Sequence, residues 1–149
     1  MEEIKVAGET AQFIVIRLGQ EQYGIDISYI ENIVRMQHIT RVPKLAPYLK
    51  GVINLRGEVI PIMCLSMKMG LPVEEETKAS RIIIIKMEQC GTLGLIVDEV
   101  KEVVTLDMTE QVEKLAFKKE DKSNFVQGVG KCAGGLISLL DLNTVTAEK

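Results

Sequence analysis

Tryptophan is absent, histidine occurs once, and Phe and Tyr contribute three residues each to the 149. The core must therefore be aliphatic, built from Ile, Val, Leu and seven Met. The same scarcity removes most catalytic templates. The single histidine, His38, precedes Ile39-Thr40-Arg41-Val42 with no acid beside it and no obvious nucleophile, so it reads as structural. Neither G-x-S-x-G nor H-E-x-x-H occurs. Gly128-Val129-Gly130-Lys131 looks like part of a phosphate loop. Phe125, however, stands where its first glycine is required, and Cys132 where its hydroxyl is required. The cysteines, Cys64, Cys90 and Cys132, are odd in number and widely spaced, without a C-x-x-C pair. They read as reduced thiols.

Positive charge is not in excess. Lys and Arg number 18 against 21 Asp and Glu, and no basic stripe carries interleaved aromatics, which argues against nucleic-acid binding. Long apolar runs are missing too. Ile82-Ile83-Ile84-Ile85 falls far short of the roughly 20 residues that cross a bilayer. Met1-Glu2-Glu3-Ile4-Lys5 has acids where a signal peptide is basic, so the chain reads as cytosolic. No metal or cofactor is expected, and binding is a better reading than catalysis.

What is present is a hairpin. Gly51-Val52-Ile53-Asn54-Leu55 and Glu58-Val59-Ile60-Pro61-Ile62 flank the pair Arg56-Gly57. An X-Gly link between two apolar runs marks a two-residue turn, because glycine accepts the positive φ such a turn demands. Alternation puts Val52, Asn54 and Arg56 on one face and Ile53 and Leu55 on the other. A long cation at the tip of a stiff hairpin faces outward.

The hairpin has a second copy. Residues 51–65 align without a gap on 128–142: Gly51 meets Gly128, Gly57 meets Gly134, and Leu65 meets Leu142. Phe13-Ile14-Val15-Ile16 aligns on Ile83-Ile84-Ile85-Lys86, and Tyr23-Gly24-Ile25-Asp26-Ile27 on Leu93-Gly94-Leu95-Ile96-Val97. Ile30, Ile33 and Val34 then fall on Val100, Val103 and Val104. Two similar β lobes follow, with approximate limits 11–70 and 80–146, a connection over 71–79, and strands free to exchange between them. Glu74 to Glu76 and the run from Lys114 to Asn124 read as exposed loops.

Short helices punctuate the strands. Ser28-Tyr29-Ile30-Glu31 fits a capping box, with Ile30, Ile33 and Val34 at helical spacing behind it. Asp98 takes the same capping place in the second half, which is a better use for it than a carboxylate pair with Glu99. One turn starts near Ser66 and ends at Gly70, and Asp141 caps a C-terminal turn. The tetra-isoleucine run, bracketed by Arg81 and Lys86, reads as a strand buried on both faces.

Several of these segments together resemble the CheW family of bacterial chemotaxis coupling proteins. They are Tyr23-Gly24-Ile25-Asp26-Ile27, Ile39-Thr40-Arg41-Val42-Pro43, Lys50-Gly51-Val52-Ile53-Asn54-Leu55-Arg56-Gly57, Ile60-Pro61-Ile62, Gly94-Leu95-Ile96-Val97-Asp98-Glu99-Val100 and Leu136-Ile137-Ser138-Leu139-Leu140-Asp141-Leu142. The resemblance covers roughly residues 10 to 146. It implies a mainly β fold of two intertwined SH3-like five-stranded barrels on a shared aliphatic core. It also implies a non-enzymatic, cytoplasmic adaptor that links the tips of methyl-accepting chemoreceptors to the histidine kinase CheA through the kinase's regulatory domain. Arg56 matches the family arginine implicated in receptor binding, with Asn54 and Gly57 in the same turn. Ile30, Glu31, Asn32 and Ile33 match a short helical segment where receptor and kinase contacts have been placed. The family often has glutamate at the place of Asn32, and many members carry aspartate at the place of Cys64, which here reads as a lost helix cap. An isolated kinase regulatory domain is the competing reading. Chain length and the Met1 start point away from it. A small-molecule barrel would need a cavity that large aliphatic side chains should fill.

Overall fold

The computed structural model describes residues 10–114 and 125–147. Among them the chain forms β1 (Thr10–Leu18), β2 (Glu21–Asp26), β3 (Ile30–Arg35), β4 (Leu49–Leu55), β5 (Glu58–Cys64), β6 (Arg81–Met87), β7 (Gly91–Val97), β8 (Glu99–Asp107), β9 (Val112–Lys114), β10 (Val126–Cys132) and β11 (Gly135–Leu140). A 3-10 turn spans Ile27–Tyr29, and two single-turn helices, α1 (Leu65–Lys68) and α2 (Leu142–Val145), follow β5 and β11. The fold is mainly β, in two sheets. One is ordered β3-β6-β7-β5-β4, the other β8-β1-β2-β11-β10-β9. The second sheet thus has six strands rather than the five expected, β9 being the addition.

The internal repeat is present in the pairing itself. β4 and β5 pair Gly51 with Ile62 and Leu55 with Glu58; β10 and β11 pair Gly128 with Leu139 and Cys132 with Gly135. Both ladders shift register just before the glycine, between Leu49 and Gly51 and between Val126 and Gly128. The other hairpin differs by one residue. β1 and β2 close on Leu18–Glu21, whereas β6 and β7 close on Met87–Gly91, a loop one residue longer. The first strands of the two halves therefore match one position away from where the sequence alignment put them.

The halves of the repeat are not the compact units. Met1–Ser28 and Lys101–Lys149 form one unit and Tyr29–Val100 the other. These units cut across the approximate limits 11–70 and 80–146, and the strand exchange allowed for there is what the pairing shows. β5 of the first half pairs in parallel with β7 of the second, Ile62 opposite Gly94. β11 of the second half pairs in parallel with β2 of the first, Leu139 opposite Gly24. The 71–79 stretch is then a loop inside one unit. Of the run Lys114 to Asn124, only Lys114 lies within the described residues, at the end of β9.

Each unit has its own aliphatic core. Phe13, Val15, Leu106, Ile137 and Leu139 cluster in the first; Ile53, Ile60, Ile62, Ile82 and Ile84 in the second. Ile82 to Ile85 are each at most 2 % exposed, so β6 is covered on both faces. At about 2 kcal/mol for each buried isoleucine, this strand is among the strongest contributors to stability.

The helical expectation at Ser28 is not met. Ser28 lies in the 3-10 turn, where its amide donates to Asp26 Oδ1 at 2.9 Å, so Asp26 is the side chain that stabilises the turn. Ile30, Glu31, Asn32 and Ile33 belong to strand β3. A bulge between Ile30 and Asn32 leaves Ile30 opposite Ile85 and Ile33 opposite Ile83. That places Ile30 and Ile33, three residues apart, on one face of a strand, a spacing normally read as helical. Asp98 forms a bend directly before β8, so no helix begins there for it to cap.

At the other expected cap, the Asp141 carboxylate accepts from Asn143 N at 3.1 Å and from Thr144 Oγ1 at 3.1 Å. Its counterpart Cys64 starts α1 with no side-chain cap. Gly51 has φ +139°, and a Cβ there would overlap the Thr40 carbonyl oxygen. Gly57 has φ +85° with open space around it.

Two outcomes are expected in chemical denaturation. Gly51→Ala costs about 3 kcal/mol because backbone must move, while Gly57→Ala costs about 1 kcal/mol from strain alone. Equal losses would mean that the Thr40 contact does not hold this edge. Asp141→Ala costs about 1 kcal/mol, and an unchanged midpoint would remove the cap from the list of stabilising contacts.

Candidate functional site

The β4–β5 hairpin ends in a type I′ turn, with φ +54° at Arg56 and +85° at Gly57. The twist of this turn suits the right-handed twist of the two strands, which is why so short a loop can join them. Glycine adopts it freely. An arginine held left-handed costs about 1–2 kcal/mol. Asn54 Oδ1 accepts from Gly57 N at 3.1 Å and ties the turn down. Arg56 itself is exposed and has no ion pair or side-chain hydrogen bond among the described residues. Val59, paired with Asn54 across the hairpin, is 62 % exposed, whereas Ile53 on the opposite face is buried. The tip therefore presents a cation, an amide and an aliphatic side chain on a rigid support.

The second copy is built differently. Its tip is Ala133-Gly134, and its left-handed residue is Gly135, φ +116°. Lys131, at the place of Asn54, has its backbone amide bonded to Gln111 O at 2.7 Å and its carbonyl to Gln111 Nε2 at 3.1 Å. Its ammonium lies 3.8 Å from Glu113. Leu136, at the place of Val59, is equally exposed. Only the first hairpin offers an unpaired cation at its tip.

Of the residues expected at a site, Arg56, Asn54 and Gly57 are together in this turn. Ile30, Glu31, Asn32 and Ile33 are in β3, on the opposite edge of the same sheet, with β6, β7 and β5 between. Ile30 and Ile33 are half-buried. Asn32 Oδ1 accepts from Ile33 N at 2.8 Å, and Glu31 lies 3.9 Å from Lys86 Nζ in an exposed pair of small energetic weight. No hydrogen bond or ion pair described here joins the two sets.

One feature was missed. From Asn32 to Gly57 the chain contains no Asp or Glu, while Arg35, Arg41, Lys44, Lys50 and Arg56 are all exposed. The gap in carboxylates was visible in the sequence, but the cations are too widely spaced to form a stripe. Among the described residues no three His, Cys, Asp or Glu side chains are placed to hold a metal ion, and no helix is long and apolar enough to cross a membrane.

The hairpin tip is thus a short, tied-down turn carrying one exposed arginine that is unpaired among the described residues. The CheW-like domain family matches residues 12–149, and the chain belongs to that family. It is 34 % identical over 134 residues to the chemotaxis protein CheW of Bacillus subtilis, covering 90 % of this chain and 85 % of that one. Identity to the chemotaxis protein CheW of Helicobacter pylori is 31 % over 137 residues, covering 92 % and 82 %. The crystal structure of the scaffolding protein TtCheW from Thermoanaerobacter tengcongensis matches with a TM-score of 0.84 at 31 % identity, over 93 % of this chain and 94 % of that one. As a member of this family the chain is a chemotaxis scaffold and not an enzyme.

The strain at the tip has a measurable signature. Asn tolerates the left-handed region better than Arg, so Arg56→Asn should stabilise the fold by about 0.5–1 kcal/mol in urea unfolding. A loss of stability would show that Arg56 makes contacts that outweigh its strain.

Proposed function

We propose that the chain is an adaptor coupling methyl-accepting chemoreceptors to the histidine kinase CheA. The observation that carries this reading is Arg56, exposed, unpaired among the described residues and locked in a left-handed turn by Asn54. A guanidinium held so can form a bidentate pair with a carboxylate, or donate to the last carbonyls of a receptor helix. Rigidity matters because less side-chain and loop entropy is lost on binding. Val59 beside it supplies apolar contact.

Receptor is assigned to the hairpin tip, through Arg56, Asn54 and Gly57. Ile30, Glu31, Asn32 and Ile33 on β3 form a second contact surface for receptor or for the kinase's regulatory domain. Since Asn32 already accepts a bond from its own neighbour, it is the weakest contributor of the four. The adaptor works in the cytoplasm, peripheral to the inner membrane through receptor complexes.

A pull-down tests this with two baits, a receptor cytoplasmic signalling fragment and the regulatory domain of CheA. The wild-type chain should retain both. Arg56→Ala should lose about tenfold in receptor retention, the scale of one charge-assisted hydrogen-bonded pair, and keep the kinase domain. If folded wild type retains neither bait, the coupling role is wrong. If Arg56→Ala weakens both equally, the tip is not a receptor-specific contact.

A further inference from the structure

The loop from residue 36 to residue 48 is pinned to the sheet at several points. Thr40 N donates to Val52 O at 2.8 Å, and Val52 N to Thr40 O at 2.9 Å. Leu49 N donates to Ala46 O at 2.9 Å, and Cys64 N to Tyr48 O at 2.7 Å. Pro43 and Pro47 fix two more backbone angles. The loop so held encloses an open groove of about 570 Å³. Ile39, Val42, Leu45 and Leu49 contribute apolar wall, and Val42 and Leu45 are 40 % and 39 % exposed. The charged lining consists of Arg41, Lys44 and Lys50, all of one sign.

We propose that this groove docks an acidic segment of a partner protein, with an aliphatic side chain of that segment inserted between Val42 and Leu45. Charge complementarity selects the occupant. The chain as a whole carries −3, yet this groove has three cations and no carboxylate in its lining. Such a field favours acidic partners and disfavours basic ones. The apolar wall asks for an anchor that an acid-only ligand lacks. Concavity favours a polypeptide over a membrane, because a bilayer presents a flat face that does not fill a recess. None of the residues assigned above to receptor or kinase lines the groove, so the proposal stands apart from that reading.

The test uses the whole chain and a synthetic peptide of about fifteen residues rich in Glu, with two Leu anchors, followed by backbone amide chemical shifts. Shifts should concentrate in residues 39–50. Affinity should fall about tenfold with Gln in place of the Glu residues, with Ser in place of the Leu anchors, and in the combined variant Arg41→Glu, Lys44→Glu, Lys50→Glu. Those three side chains are exposed, so circular dichroism of the variant should match wild type. Leu45→Ser tests the apolar half independently and should weaken binding without removing the salt dependence. Absence of shifts, shifts centred elsewhere, or full binding by the Ser peptide would overturn the proposal. So would phosphatidylserine-containing vesicles that shift the same amides as strongly as the peptide does, which would make the groove a lipid site.

Discussion

Two short parallel pairings hold this fold together, β5 on β7 and β11 on β2, and in each a glycine lies opposite a large aliphatic residue, Gly94 opposite Ile62 and Gly24 opposite Leu139. A Cβ at Gly94 would stand 2.6 Å from Ile62 Cδ1, and one at Gly24 would stand 2.9 Å from Leu139 Cδ2. The glycines let the isoleucine and leucine of the facing strand lie across the ladder. Parallel strands cannot be joined by a tight turn and need a distant partner. Here each half of the chain supplies the partner for the other. Neither half can complete a sheet without a hairpin from its counterpart, so the stability of both sheets is shared along the whole chain.

That exchange explains what could and could not be read in advance. The hairpins were legible because glycines recur at one spacing in both copies, with Gly51 under the Thr40 carbonyl and Gly57 in a left-handed turn. Gly51, Gly57, Gly128 and Gly134 therefore marked the repeat, and the hydrophobic alternation gave its faces. Partner choice was not legible. Alternation says which face of a strand is buried but carries no information on which strand lies beside it, so 11–70 and 80–146 looked like lobes. The error at β3 has an equally local cause. The bulge at Glu31 adds one residue to the strand and converts a two-residue repeat into a three-residue one, which Ile30 and Ile33 then displayed as if on a helix.

The candidate site was legible in part. Arg-Gly between apolar runs located the tip and predicted an outward arginine. Its left-handed φ, and the contrast with the paired Lys131 of the second copy, emerged only from the backbone. The groove of residues 39–50 was hidden for a different reason. Its cations are scattered along a loop with no period, and they converge because Thr40, Tyr48 and Ala46 are each tied back by a backbone bond.

The two copies have diverged in a consistent direction. The second keeps the helix cap, Asp141, and covers the edge of β10 with β9 and Gln111. The first has Cys64 at the cap position, holds the edge of β4 by the single Thr40–Val52 bridge, and strains Arg56 at its tip. At these three places the second repeat has the additional contact and the first does not. Groups that are capped, paired and covered have nothing left to offer a partner, and a chain made only of unsatisfied groups would fall below the stability it needs to stay folded. Exchange of hairpins resolves the conflict, because each sheet contains strands from both copies. The repeat with the Asp141 cap and the covered β10 edge then holds in place the strands of the repeat with the strained Arg56 turn.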